Sequence, residues 1–247
     1  MKKLGLIGYP LQHSFSKKYF SQKFEKEGIK NWKYLNFEMK NINQFPSILK
    51  KNPDLIGLNI TIPYKEKILK YTDWQSPEVI KTGAANTLKI CQGKIKAYNT
   101  DIYGFEQSFK ALFKDYHKRA LILGTGGASK AIAYVLEMLN IPFKFVSRNP
   151  VSNNILSYKQ LDKNIITNYQ IIINTTPVGT FPDIDKKIKI PYDFITKNHL
   201  FYDLIYNPDK TAFLKTAEKK GASIINGLKM LHLQAEKAWE IWNNENC

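Results

Sequence analysis

Two α/β domains in series are the fold class that this 247-residue sequence predicts, and three observations predict it. β-rich runs alternate with helical periods along the first hundred residues. One glycine-rich turn, GTGGAS at 124–129, lies between a strand pattern and a helix pattern. The chain changes character near Asp101 with no long polar linker there. The expected boundaries are a first domain over 1–101, joined by a returning C-terminal helix over 228–247, and a second domain over 102–227, with a cleft between them.

The elements follow in order. KLGLIGY (3–9) reads as a strand, and the amphipathic stretch 14–28 as a helix closed by Gly28. WKYLNFEM (32–39) is a second strand and INQFPSILKKN a helix. In LIGLNITIP (55–63), Leu58, Ile60 and Ile62 alternate with Asn59 and Thr61, which argues a half-buried strand. Pro63 ends it, since proline has no N–H for the ladder. A helix is expected from Lys65, then a hairpin of AANTLKI and KIKAYN turning at Gln92-Gly93. Beyond Asp101, DIYGFEQSFKALF has a helical period, and residues 119–149 form one strand–turn–helix–strand unit. Strands follow at 169–176, 199–206 and 222–226, with a helix at 210–220 and a long amphipathic helix at the end.

Composition excludes several classes. No apolar run approaches the roughly 20 residues of a membrane span, and the short apolar run after Lys2 and Lys3 is too brief for a signal peptide. Cys91 and Cys247 lie far apart, and neither they nor the four histidines show metal or redox spacing. A cytoplasmic enzyme without a metal fits. The net charge of +16 invites a nucleic-acid reading, yet Arg119 and Arg148 are the only arginines among 37 basic residues. Arginine is the residue of bidentate phosphate and base recognition, and the lysines are scattered in pairs rather than massed. The expected partner is a small molecule, not nucleic acid or membrane, for a monomer or homodimer.

The turn GTGGAS has the strand-before, helix-after context of the Rossmann-type dinucleotide fingerprint. Gly124 permits the tight turn, Gly126 lets the backbone approach a pyrophosphate, and Gly127 and Ala128 open the helix, whose N-terminus favours anions. Ser129 holds the third small position. The following strand ends at Ser147, Arg148 and Asn149, with no acidic residue to bind ribose hydroxyls. A basic residue there suits a 2′-phosphate, so the pattern favours NADP over NAD.

In the first domain, HSFS places Ser14 and Ser16 at a helix start, where hydroxyls suit a carboxylate ligand or an N-cap. Asn86 in GAANT and Asp101 in YNTD sit in turns, where such residues commonly serve turn geometry. Together with Lys65 they have a chemical logic. Hydride transfer to a ketone needs a proton for the developing alkoxide; Lys65 beside Asp101 can supply and orient one, while Asn59, Thr61 and Asn86 bind hydroxyls.

HSFS, NITIPYK, GAANT, NTDIYG, GTGGAS, NTTPVG, YNP and GLKMLHLQA occur in the order and approximate spacing of shikimate dehydrogenases, which the chain resembles from Gly8 to Ala235. The resemblance implies NADPH-dependent reduction of 3-dehydroshikimate to shikimate, a step toward aromatic amino acids. It implies that Ser14 and Ser16, with Tyr206, hold the substrate carboxylate. Asn59, Thr61, Asn86, Asp101 and Gln234 would bind ring hydroxyls, with Lys65 and Asp101 as the catalytic pair. Gly124, Gly126, Gly127 and Ala128 would cradle the pyrophosphate, Ser147, Arg148 and Asn149 would surround the ribose phosphate, and Thr175, Gly227 and Met230 would line the nicotinamide end. The chain departs from the family at Lys17, usually proline, at Ser152, often basic, and at Thr180, often methionine. The alternatives are a quinate/shikimate dehydrogenase with relaxed substrate or NAD use, and a non-catalytic binding protein of the same fold.

Overall fold

The computed structural model describes residues 1–11, 15–152 and 154–244. It divides into two units, Met1–Thr100 with the chain from Ala235 onward, and Asp101–Gln234.

The first unit is built on β1 (Lys2–Gly8), β2 (Trp32–Glu38), β3 (Leu55–Ile60), β4 (Trp74–Gln75), β5 (Thr87–Cys91) and β6 (Lys94–Tyr98), in the order β2-β1-β3-β5-β6-β4. β1 runs parallel to both neighbours, and its Leu4–Gly8 are buried because a central parallel strand is covered on both faces. β5 and β6 form the expected antiparallel hairpin. Its turn residues Gln92 and Gly93 both have positive φ, 50° and 74°, as the favoured two-residue turn requires.

Helices α1 (Phe15–Lys26), α2 (Phe45–Lys51) and α3 (Pro77–Thr82) belong to this unit. α1 buries Ser16, Phe20 and Phe24, an i, i+4, i+8 stripe. Phe20 and Phe24 pack with Leu4, Leu6, Tyr34, Ala235, Ala238 and Trp242 in one apolar cluster; Ile7, Phe45, Leu58, Ile60, Ile68 and Leu88 belong to another. The helix expected from Lys65 is instead a five-residue 3-10 segment, Lys67–Tyr71, with only Ile68 buried. Leu69 and Tyr71 pack partly buried on the same core as Ile68, and the Thr72 hydroxyl closes the segment by donating to the Leu69 carbonyl.

The second unit carries β7 (Ala120–Leu123), β8 (Phe143–Ser147), β9 (Ile155–Ser157), β10 (Ile171–Asn174), β11 (Leu200–Asp203) and β12 (Ser223–Ile225). Every pairing is parallel, in the order β12-β11-β10-β7-β8-β9. Counted from the other edge this is 3-2-1-4-5-6, the doubly wound order that reverses between the first and fourth strands, β7 and β10. All four residues of each of β7, β10 and β11 are buried, which accounts for the runs ALIL, IIIN and LFYD. The helices are α4 (Thr100–Phe109), α5 (Gly127–Met138), α6 (Lys163–Asn168), α7 (Ala212–Lys219) and α8 (Leu228–Asn243); the division between units falls within α4 and α8. The sequence predicts nothing between Arg148 and Tyr169, where the structure has β9 and α6. Three residues are too few to show alternation, although Asp162 caps α6 by accepting from the Ile165 N–H at 2.8 Å. Among the described residues no helix is long and apolar enough to cross a membrane.

Candidate active site and cofactor turn

In the second unit the glycine turn lies where the strand order reverses. Gly124 follows β7 at φ 109°, and a Cβ there would stand 2.7 Å from Thr175 Oγ1. Only glycine combines that backbone with that approach. Thr175 follows β10, and its N–H and hydroxyl both donate to the Leu123 carbonyl, at 3.0 and 2.8 Å. The two strand ends are thus pinned to each other at the switch point, where ligands bind open α/β sheets.

α5 starts at Gly127 with Gly126 as its N-cap and no side chain capping it. A Cβ on Gly126 would meet nothing within 4 Å, so bare backbone faces open space. That is the cradle a pyrophosphate needs at a helix N-terminus, with Ala128 the next residue of the first turn. Ser129 is 1% exposed and turns its hydroxyl back to the Gly126 carbonyl at 2.6 Å, which fits a polar residue into the third small position. At the end of β8 the Asn149 N–H donates to Ser147 Oγ at 3.3 Å, and Arg148 and Asn149 are exposed. Burial pushes the Tyr158 phenol pKa up and the Arg148 charge works against it, so the guanidinium lies within electrostatic reach of that ring.

Gly227 precedes α8 so close to Leu204 that a Cβ would stand 2.0 Å from its carbonyl oxygen. Met230, one turn on, packs in the apolar cluster of Phe105, Ile173 and Tyr202. Tyr206, half-buried, follows β11; burial raises its pKa. Between these loops sits a residue the sequence reading passed over. Asp203 is wholly buried and accepts from Asn174 Nδ2 at 2.9 Å, the Ile205 N–H at 3.1 Å and Thr211 Oγ1 at 2.6 Å. Burial pushes its carboxyl pKa up to about 6 against the pull of these donors. Asn174 Oδ1 in turn accepts the Thr176 N–H and hydroxyl, both at 2.8 Å. One carboxylate therefore ties together the loops that carry Thr175 and Tyr206.

In the first unit the structure brings Asn59 and Asn86 into one buried network, and Ser16 is buried on α1. Burial raises the pKa of the Tyr34 phenol. Tyr34 donates to Asn59 Oδ1 at 2.7 Å. Asn59 Nδ2 donates to Thr87 Oγ1 at 3.2 Å and to the Asn86 carbonyl at 3.3 Å. Asn86 Oδ1 accepts the Thr100 N–H at 2.7 Å, while Nδ2 donates to Thr100 Oγ1 at 3.0 Å. Thr61 donates its N–H to the Ile7 carbonyl, and Lys65, half-buried, accepts the Ala85 N–H on its carbonyl at 2.8 Å, beside Asn86. Ser14 lies outside the described residues.

Asp101 and Gln234 fall in the second unit. Asp101 is buried in the first turn of α4, where the helix dipole favours a carboxylate. Gln234 is buried and donates to the Leu231 carbonyl at 2.9 Å. Among the described residues no group of three or more His, Cys, Asp or Glu is placed to hold a metal.

Residues 6–88 match the family model described as the shikimate dehydrogenase substrate binding domain. A shikimate dehydrogenase (NADP(+)) of Caldicellulosiruptor saccharolyticus is 42% identical over 98% of this chain and 92% of its own. One of Methanococcus maripaludis strain C6 is 39% identical over 99% and 92%. Among solved structures, shikimate 5-dehydrogenase of Thermus thermophilus, in complex with NADP(H) and shikimate, superposes with a TM-score of 0.86 at 28% identity, covering 98% of this chain and 94% of that one.

Proposed function

This chain belongs to the shikimate dehydrogenase family, and from that premise we propose that it is an NADP-dependent shikimate dehydrogenase which, in the biosynthetic direction, reduces 3-dehydroshikimate to shikimate with NADPH. The observation that carries the reading is the 42% identity to such an enzyme along 98% of the chain. The geometry agrees with it: bare backbone at Gly126 and the close approach of Gly124 to Thr175 fit a dinucleotide. Gly124, Gly126, Gly127 and Ala128 would hold the pyrophosphate, and Ser147, Arg148 and Asn149 the phosphorylated ribose. Thr175, Gly227 and Met230 would border the nicotinamide end.

The bound cofactor supplies a hydride to the carbonyl carbon. The chain's own work is then to place the ketone and to deliver a proton to the oxygen as it gains charge. Lys65 donates that proton, and Asp101 orients the ammonium. Ser14, Ser16 and Tyr206 hold the substrate carboxylate, while Asn59, Thr61, Asn86 and Gln234 contact ring hydroxyls. Because the framework already engages Asn59 and Asn86, their remaining hydrogen-bonding capacity is aimed before any ligand arrives, which lowers the ordering cost of binding.

The test is absorbance at 340 nm with purified protein given shikimate or quinate, each with NADP⁺ or NAD⁺. Reduction confined to shikimate with NADP⁺ is expected. Comparable rates with quinate or NAD⁺ would point to the broader dehydrogenase, and no reduction by folded protein in any arm would leave a binding protein.

A further inference from the structure

We propose that Thr87 is a positioning residue for the substrate's ring hydroxyls, its own hydroxyl holding the side-chain amides of Asn59 and Asn86 in one relative orientation. The inference rests on the reading above, in which both amides contact the substrate. Strand register brings the three side chains together. Thr87 opens β5 directly opposite Asn59 of β3, and residues paired in this way project from the same face of a sheet. Asn86 is its neighbour in the chain. Thr87 is fully buried, so it meets no ligand itself. Its hydroxyl accepts from Asn59 Nδ2 at 3.2 Å and donates to Asn86 Oδ1 at 3.2 Å, with Thr100 Oγ1 also 3.2 Å away. A β-branched side chain is stiff at χ1, so this oxygen is a fixed point between the two amides.

Holding the amides also decides which end of each points where. The two N–H donors of Asn59 Nδ2 are directed to the Thr87 hydroxyl and the Asn86 main-chain carbonyl, while Oδ1 takes the Tyr34 proton. Asn59 therefore meets a ligand through Oδ1, as an acceptor from a hydroxyl. Asn86 Oδ1 accepts the Thr100 N–H at 2.7 Å besides the Thr87 hydroxyl, so a flip of that amide would set donor against donor. Loss of the Thr87 hydroxyl leaves one buried donor of Asn59 unmatched and loosens the angle between the amides, while the strand pairing survives. The amides contact ring hydroxyls in the ground state and the transition state alike, so the penalty belongs to substrate binding and not to hydride or proton transfer.

Thr87→Val keeps the branched shape and strand preference of the residue and removes the hydroxyl. Assayed at 340 nm with shikimate and NADP⁺, its KM for shikimate should rise about three- to tenfold, the range of one net hydrogen bond, with kcat changed less than about twofold and the KM for NADP⁺ unchanged. Thr87→Ser keeps the hydroxyl and loses the methyl group, and its shikimate KM should stay within about twofold of wild type. A packing role alone predicts the reverse order, with valine like wild type and serine impaired. Thr87→Ala makes the same comparison with serine should the valine protein not fold. An unchanged shikimate KM without the hydroxyl, a KM raised equally in Thr87→Ser, or a loss confined to kcat would overturn the proposal. These outcomes are distinct from failure of the functional reading, which shows as a wild-type protein inactive with shikimate and NADP⁺.

Discussion

An ammonium that protonates an alkoxide is needed most when charge has developed, so its removal shows in turnover before it shows in binding. Lys65→Ala should lower kcat about a hundredfold or more, the usual scale of general acid catalysis, with the KM for shikimate changed less than about threefold. Steady-state assays at 340 nm decide it: parallel losses in both parameters would make Lys65 a binding residue. Arg148 stands differently. It is exposed at the end of β8, and a charged hydrogen bond to a phosphate contributes about 1.5–3 kcal/mol. Arg148→Ala should therefore raise the KM for NADP⁺ at least about tenfold and leave that for NAD⁺ nearly unchanged. An unaltered ratio of the two constants would place the phosphate contact elsewhere.

Short elements show which parts of the fold the sequence displays. SPEVIKTG carries the signals of a helix passed over in the sequence reading, and the structure uses them. Ser76 accepts the Val79 N–H, Pro77 stands in the first turn, and Gly83 closes α3 at φ 63°. Ser76→Ala should cost about 1 kcal/mol of stability, read from a urea midpoint shift at constant slope; no shift would mean the 3.4 Å bond contributes nothing. The hairpin at Gln92-Gly93 and the glycine turn before α5 were legible because turn chemistry is local. Tyr34 was not. In WKYLNFE it occupies an ordinary apolar strand position, and its phenol acquires a partner only when β3 brings Asn59 beside it. Asp203 escaped for a related reason, since its three donors come from β10, a loop and the start of α7. The amides of Asn59 and Asn86 are committed to the framework, a use that strand alternation alone does not reveal.

Stability of the whole protein should carry a pH signature from one buried histidine. His117 is 2% exposed, its Nδ1 accepts the Lys114 N–H at 3.0 Å, and its Nε2 is buried with no hydrogen-bond partner. Burial, followed by the charges of Lys114 and His199, lowers its pKa below the usual 6.5. In the unfolded chain the ring takes up a proton as pH falls through 6.5, whereas in the folded protein it resists, so acidification favours unfolding. Asp203 acts oppositely: with its folded pKa raised to about 6, its contribution is present at low pH and lost as pH rises through 6. His117→Asn keeps an acceptor for the Lys114 N–H and removes the titration. Denaturant melts from about pH 7.5 to 5.5, a window that spans the ordinary histidine pKa, should show the wild type losing stability relative to this variant; parallel curves would exclude His117 as the source. The last helix has a consequence of another kind. Trp242 donates to the Leu88 carbonyl at 2.9 Å and packs on Phe20, so the core of the first unit contains residues from the far end of the chain. During translation the continuous stretch 101–234 can close on itself, while the first hundred residues wait for the final helix to leave the ribosome. Nascent chains stalled with residue 234 just released should therefore be cut by protease within residues 1–100 and protected beyond, whereas chains extended through residue 247 before protease is added should resist cutting in both stretches.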